Sequence, residues 1–392
     1  MGVKDFFIKH QGQTTPYPLA IEVVSAKGMY IIDKSGKTYL DLVAGVSACT
    51  IGHCHPRVVK AIQDQVEKYM HVMVYGEFIQ DPQLDLAKKL ASLLPDSLNC
   101  TYFVNSGVEA IEASMKLAKR FTDRSEIISC KNSYHGSTQG ALSIMGVETY
   151  KQKFRPLLPD CRQIIYNDFD SLKEITEKTA AVVIEPVQGA TGFVTPENGF
   201  LNAVRKKCDE VGSLLVFDEI QTCYGRTGSL FAFENYNVSP DILCMAKGMG
   251  GGMSIGSFTT STEKMHCLRE KPKLGHITTF GGHPVSCAAA LATLNELCET
   301  ELIREVPKKE ALFRALLKHP KIKEIRGKGL MLGIEFEDAE ICQNVVHRGL
   351  EKGIITFFFL FSQTAVRLSP PLTISEDEIR IAAQVILEIL DE

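Results

Sequence analysis

Residues 213–228 read SLLVFDEIQTCYGRTG, and residues 239–252 read SPDILCMAKGMGGG. The first opens on a short apolar run, Leu214 to Phe217, that stops at Asp218 and Glu219. The second carries Ile242 to Ala246 and stops at Lys247 before a cluster of glycines. Unbroken apolar runs of this length read as strands buried on both faces, the kind found in parallel sheets. A charge at the end of such a strand either faces a crevice or is costly to bury. An arbitrary lysine is a solvated surface residue, and an arbitrary aspartate caps a turn. The pair therefore needs support from the rest of the chain.

Working outward, further strands are predicted at Thr101–Val104, Glu126–Cys130, Gln163–Tyr166, Ala181–Ile184 and Asp241–Met245. Helical patterns such as VEAIEASMKLAKRF and FLNAVRKKCDEVG lie between most of them. This alternation predicts an α/β fold with a mainly parallel sheet and helices on both faces. Ligands in such sheets bind at the carboxyl ends of the strands. Residues 20–43 alternate like strands around a turn at Asp33-Lys34-Ser35-Gly36. Helices are predicted from Pro56 and from Asp81-Pro82, with proline in the first turn. After Gly282 the character changes to a helix, a charged helical stretch, strands in IKEIRGKGLMLGIEFE and a closing helix. The expected division is an N-terminal segment (1–50) whose strands join the small domain, a large domain (51–285) and a smaller α+β domain (286–392).

The chain has 392 residues, 43 Lys plus Arg against 47 Asp plus Glu, and a formal charge of −4. That balance suggests no nucleic-acid or membrane partner. The start, MGVKDFFIKHQGQ, has no long apolar core, and Phe6 stands where a myristoylation motif needs Ser or Thr. The run Phe357 to Phe361 is far too short to span a bilayer. Twelve cysteines without paired spacing read as reduced thiols of a cytoplasmic protein. His53-Cys54-His55 looks like a metal cluster, but residues one and two apart rarely converge on one ion, so no metal is expected and a polar turn before Pro56 is the reading.

A lysine and an aspartate at neighbouring strand ends suit pyridoxal 5'-phosphate. The lysine forms a Schiff base with the aldehyde and the aspartate pairs with the protonated pyridine nitrogen, which makes the ring an electron sink. Four other features follow strands. Asn105-Ser106-Gly107-Val108-Glu109 opens a helix, whose free N–H groups make an anion site, although Ser106 also reads as a simple N-cap. Ser133-Tyr134-His135-Gly136 places an aromatic ring where it could stack on a flat cofactor, or simply join the core. Glu185-Pro186-Val187-Gln188-Gly189 offers another carboxylate, one that could equally anchor its loop. Thr278-Thr279-Phe280-Gly281-Gly282 offers hydroxyl and backbone donors for phosphate. Each is weak alone; their joint order is what chance rarely supplies.

The runs GHCHPRV, NSGVEAIEASMKLAKRF, YHGST, EPVQG, DEIQTCYGRTG, DILCMAKGMGGG, TTFGGHPVSCAAA, RGKGLMLGIE and VRLSPPL cover nearly the whole chain. Together they resemble the class III, fold type I, pyridoxal-phosphate-dependent aminotransferases of the acetylornithine, ornithine and 4-aminobutyrate group. The resemblance implies a seven-stranded sheet in the large domain and a homodimer with shared active sites. It implies Lys247 as Schiff-base lysine and proton shuttle, Asp218 on the pyridine nitrogen and Gln221 on the phenolic oxygen. Tyr134 would stack on one ring face and Ile220 pack on the other. Ser106, Gly107 and Val108 would hold the phosphate, completed by Thr279 of the neighbouring subunit; His135 and Glu185 belong to the same cofactor set. Relatives often have Thr where this chain has Val108, so that contact falls to the backbone.

Two departures bear on the substrate. Ser137 stands where the arginine-pathway enzymes usually carry an arginine, and serine forms no bidentate ion pair. Ala190 stands where those relatives carry a glutamate that pairs with the arginine of RLSPPL. Arg367 is thus expected to be unmasked and free to take a carboxylate. The expected function is amino transfer from an amino acid or amine, of ornithine, acetylornithine or ω-amino-acid type, to a 2-oxo acid by a ping-pong cycle. The alternatives are a decarboxylase, mutase or racemase of the same fold, or a non-catalytic protein that binds the cofactor.

Overall fold

The computed structural model describes residues 2–392. Three sheets organise the chain. In chain order the strands are β1 (Val23–Lys27), β2 (Tyr30–Asp33), β3 (Thr38–Asp41), β4 (Cys100–Val104), β5 (Glu126–Cys130), β6 (Cys161–Ile164), β7 (Thr179–Ile184), β8 (Leu214–Asp218), β9 (Ile242–Met245) and β10 (Gly256–Thr260), then β11 (Ile322–Gly327), β12 (Leu332–Phe336), β13 (Ile354–Ile355), β14 (Phe357–Phe358) and β15 (Ala365–Leu368).

The central sheet has seven strands in the order β4-β10-β9-β8-β7-β5-β6. The contacts among β9, β8, β7, β5 and β6 are parallel, and β10 alone runs antiparallel to both its neighbours. Alternation within each strand splits its side chains between two cores. Leu215 and Phe217 pack on one face with Phe200 and Val204 of the helix Phe200–Val211; Leu214 and Val216 pack on the other with Ala110 and Ile111 of the helix Gly107–Thr122. Helices therefore cover both faces, which is why these strands read as unbroken apolar runs.

Two strand expectations need correction. The strand expected at Gln163–Tyr166 lies two residues earlier, as β6. β10 was not read as a strand at all. Its sequence is GSFTT, and it is buried throughout. Its hydroxyls find partners inside the sheet: Thr259 with Thr101 at 2.9 Å, and Thr260 with the Asp241 carbonyl at 2.7 Å. Polar side chains so satisfied can line a core without the usual penalty, but they erase the apolar signature.

An N-terminal sheet, β1-β2-β3-β13, is antiparallel until β3 meets β13 in parallel. The hairpin turn at Asp33–Gly36 is held by the Asp33 carboxylate, which accepts from the Ser35 and Lys37 N–H groups. A C-terminal antiparallel sheet, β11-β12-β15-β14, packs against the helices Ala339–Lys352 and Glu376–Asp391. Among the described residues, no helix is long and apolar enough to cross a membrane.

Candidate active site

Sheet register brings the site together. Asp218, the last residue of β8, pairs with Cys244 of β9, and Lys247 follows just beyond that strand's end. Ile184 of β7 pairs with Phe217, so Glu185 emerges beside Asp218. The loop after β5 carries Tyr134 and His135, and the turn after β4 carries Ser106 and Gly107. All of these line one cavity of about 800 Å³ at the carboxyl edge of the sheet.

Asp218 is fixed from two sides. Its Oδ1 accepts from the Ile220 N–H at 3.0 Å, and its Oδ2 meets His135 Nδ1 at 2.7 Å. Burial disfavours a charged His135, but Asp218 outweighs it and the ring's pKa is raised. Glu185 accepts from the N–H groups of Tyr134 and Gly189 at 3.1 and 2.7 Å. Burial nonetheless pushes its pKa upward. Glu185 thus ties two cavity loops together, as the loop-anchor reading has it.

Lys247 stands at φ 45°, a region non-glycine residues seldom occupy. Burial lowers its pKa, against the opposing pull of Asp218. A lowered pKa favours the neutral amine, the nucleophilic form. Backbone of the same hand recurs opposite, at Ala44, Gly45, Val46 and Ser47, with φ between 53° and 68°. Ser47 accepts from Gln221 Nε2 at 3.3 Å, so this left-handed turn forms a wall of the cavity.

At the start of the helix Gly107–Thr122, Ser106 is the N-cap and its hydroxyl accepts from the Glu109 N–H at 3.4 Å. The Glu109 carboxylate reaches back to the Asn105 N–H at 2.7 Å. Among the described residues, the N–H groups of Gly107 and Val108 have no protein acceptor. Two unpaired donors at the positive end of a helix form an anion cradle. Gly107 is glycine for a reason: a Cβ there would lie 2.7 Å from Ile220 Cδ1. The residues present fit pyridoxal phosphate. The cradle suits its phosphate, Asp218 and Gln221 suit its polar ring atoms, and Lys247 shares their edge.

Thr279 is the exception. It is exposed and lies outside the lining of its own chain's cavity. Its neighbour Thr278 is tied to the site, accepting from Asn105 Nδ2 at 2.9 Å. Ser137 is exposed and also outside the lining, with its hydroxyl 3.2 Å from the Tyr134 hydroxyl.

Arg367, on β15, reaches the cavity from the C-terminal sheet. Its Nε donates to the Phe358 carbonyl at 3.0 Å. Its guanidinium carbon lies 4.8 Å from the Phe359 ring centre and 6.0 Å from that of Phe193. Burial pushes its pKa down to about 10, which leaves it charged at neutral pH. No carboxylate among the described residues forms a salt bridge with it; Ala190 lines the cavity nearby, and its carbonyl accepts from the Phe361 N–H at 3.0 Å. Sequence reading missed Phe357 to Leu360, Tyr150, Val46 and Met253 as cavity walls. The aromatic run was the one available signal, and nothing local says which way it faces.

His53 and His55 do not converge on an ion. His53 pairs with Asp41 at 2.7 Å and His55 faces Glu296 at 3.7 Å.

A seven-stranded, mostly parallel sheet with a lysine, an aspartate and an anion cradle on its carboxyl edge defines a fold type I pyridoxal-phosphate enzyme. The family model for class III aminotransferases matches residues 12–390, and the chain belongs to that family. It is a pyridoxal-phosphate-dependent transaminase. It is 38% identical to the acetylornithine aminotransferase of Methanopyrus kandleri, over 95% of this chain and 94% of the relative. The ornithine aminotransferase of Toxoplasma gondii superposes with a TM-score of 0.91 at 32% identity, covering 98% of this chain and 94% of that one. A PLP-bound amine transaminase from an uncultivated Pseudomonas species superposes with a TM-score of 0.90 at 25% identity, covering 97% of each chain.

Proposed function

We propose that this transaminase takes its amino group from an amino acid or ω-amine and passes it to a 2-oxo acid whose carboxylate is held by Arg367. The observation that carries this reading is a charged guanidinium facing the cavity without a carboxylate partner. Arg367 and Lys247 are the only arginine and lysine among the lining residues. Lys247 is needed for chemistry, so one cation remains for recognition. The flat faces of Phe193 and Phe359 support that guanidinium from behind.

Pyridoxal phosphate, when bound, supplies a ring that stabilises negative charge at the carbon bearing the amino group. Gly107 and Val108 would hold its phosphate through their N–H groups, with Ser106 beside them. Asp218, oriented by His135, would hold its ring nitrogen, and Gln221 its phenolic oxygen. Tyr134 and Ile220 would confine the ring. The neutral amine of Lys247 takes the proton from the donor's carbon at Nζ and returns one to complete the transfer.

The relatives named for acetylornithine and ornithine make those compounds the natural first donors to try. With Ser137 outside the cavity lining and Ala190 uncharged, acetylornithine should be poor and monocarboxylates such as pyruvate should compete well with 2-oxoglutarate. Truncating a charged bidentate contact costs about 1.5–3 kcal/mol. Arg367→Ala should therefore raise the acceptor KM by roughly tenfold to a hundredfold. Steady-state kinetics with both acceptors tests this. An unchanged acceptor KM with lower thermal stability would make Arg367 structural, and efficient turnover of acetylornithine would end the specificity argument.

We further propose a homodimer in which Thr279 completes the phosphate cradle of the neighbouring subunit. What supports this is the exposed position of Thr279, together with the apolar surface around it. Phe280, Ile277, Phe78 and Ile79 are 54%, 51%, 55% and 91% exposed. A patch of this kind marks an association surface.

A further inference from the structure

Arg226 is wholly buried, at 0% exposure, and lies outside the lining of the catalytic cavity. It follows Asp218 and Gln221 in the run DEIQTCYGR and takes no part in the chemistry above. A buried cation is costly unless it is paired, yet among the described residues no carboxylate forms a salt bridge with it. Burial pushes its pKa down to about 10, which leaves it charged at neutral pH. Its nitrogens go instead to three neutral oxygens. Nη1 donates to the Leu330 carbonyl at 3.1 Å and also to the Pro370 carbonyl, and Nη2 donates to the Thr50 hydroxyl at 3.1 Å. The Arg226 carbonyl in turn accepts from the Leu330 N–H at 3.0 Å.

What these partners have in common is their place beside the two cations of the cavity. Leu330 leads into β12, whose Gly333 pairs with Arg367 of β15. Pro370 closes the run Arg367-Leu368-Ser369-Pro370 just past the end of β15. One guanidinium thus holds β12 and β15 at the same end. Thr50 belongs to the Lys247 side. Its hydroxyl lies 2.7 Å from where a Cβ on Gly248 would stand, so it packs on the turn that carries Lys247. The Thr50 carbonyl accepts from the Leu372 N–H at 2.7 Å, a second tie to the segment after β15. A guanidinium is planar and its donors point in fixed directions, so the groups it joins are held at a fixed spacing.

We infer that Arg226 is a positioning residue whose fork fixes the separation of Arg367 from Lys247, so that a 2-oxo acid held by its carboxylate presents its carbonyl at the reacting edge of the cavity. The inference rests on the reading of Arg367 as the anchor of the acceptor. Arg226 does not reach the cavity and acts through Arg367. A lysine in its place keeps the charge, but a point-like ammonium does not span the three acceptors as a planar fork does. The end of β15 and the Thr50 turn would then no longer be held to one another.

The test loads wild type, Arg226→Lys, Arg367→Ala and the double variant with pyridoxamine 5'-phosphate and mixes each with pyruvate in a stopped-flow instrument. The dependence of rate on pyruvate concentration separates the dissociation constant from the limiting rate, and it needs no amino donor. Arg226→Lys should raise the pyruvate constant roughly tenfold, since a small misplacement of a recognition group is costly. In the Arg367→Ala background it should add nothing further, because the two changes remove one function. A merely structural role would lower thermal stability and leave the constant alone, or raise it by the same factor in both backgrounds; either result would overturn the proposal. If Arg367→Ala itself leaves the constant unchanged, the acceptor reading falls and takes this inference with it, an outcome distinct from the failure of Arg226 alone. Should Arg226→Lys not fold, Thr50 reads the same fork. Thr50→Val should raise the constant roughly fivefold, the worth of one hydrogen bond, and Thr50→Ser should keep the wild-type value. Equal constants in those two variants would count against the proposal as well.

Discussion

Asp218 concentrates what single residues do here. Both carboxylate oxygens already have protein donors, Ile220 N–H and His135, so its direction is set before any ligand arrives. Preorganisation of this kind lets a charge act at full strength on a bound ring nitrogen. Asp218→Ala should slow the half-reaction with an amino donor at least about a hundredfold, roughly 2.7 kcal/mol of barrier, while weakening cofactor binding much less. Stopped-flow spectra and a cofactor titration measure the two effects; near-normal turnover would mean that the ring nitrogen is held otherwise. Asp218 and Lys247 were legible from the sequence because each ends an apolar strand where charge is conspicuous. His135 was legible only as part of a motif. Its bond to Asp218 joins residues 83 positions apart, which no local pattern announces. Val46 left no signal at all, since a β-branched residue at φ 60° runs against its own preference.

Among elements, β3 and the turn after it show how stability and site geometry share the same groups. His53 gains a partner on folding, so its folded pKa lies above its unfolded one. Between pH 6.5 and about 10 the folded chain binds a proton that the unfolded chain does not, and stability falls as pH rises. The contribution is fully present below 6.5 and gone above about 10. Denaturation of the wild type and His53→Gln across that range should show a gap that narrows as pH rises. A gap that is constant or widens would contradict the Asp41–His53 pairing. Helices such as Pro284–Glu299 were legible because a first-turn proline opens a long apolar run, whereas Val3–His10, Thr262–His266 and Ala339–Lys352 were not read as helices. β10 was not, since three of its five residues carry hydroxyls that only cross-strand partners make tolerable. The short strands β13 and β14 were missed for a related reason: two residues each give no period to read.

At the scale of the whole molecule, the exposed apolar surface around Ile79 and Phe280 is where the second copy of the proposed dimer would dock. Ile79→Asp places a charge at the most exposed of these residues, and sedimentation should then report monomers that release pyridoxal phosphate and lose turnover. An active monomer at assay concentration would refute the shared site. The resemblance implied a homodimer, but this surface itself was not legible, since scattered apolar residues show their common face only once folded. The alternation of strands and helices, by contrast, gave six of the seven strands of the central sheet, all but β10. What it could not give is the stitching of the chain's two ends. The Leu42 N–H donates to the Ile355 carbonyl, the Ser369 N–H to the Leu42 carbonyl, and the Ser369 hydroxyl to the Val43 carbonyl, this last across 326 positions. The loop carrying Val46, Ser47 and Cys49 is thus held by strands the ribosome makes long after it. The last partners of that loop to be synthesised are the ones that hold it, so a chain ending before Ile354 keeps the catalytic lysine but lacks the bonds that fix the wall opposite.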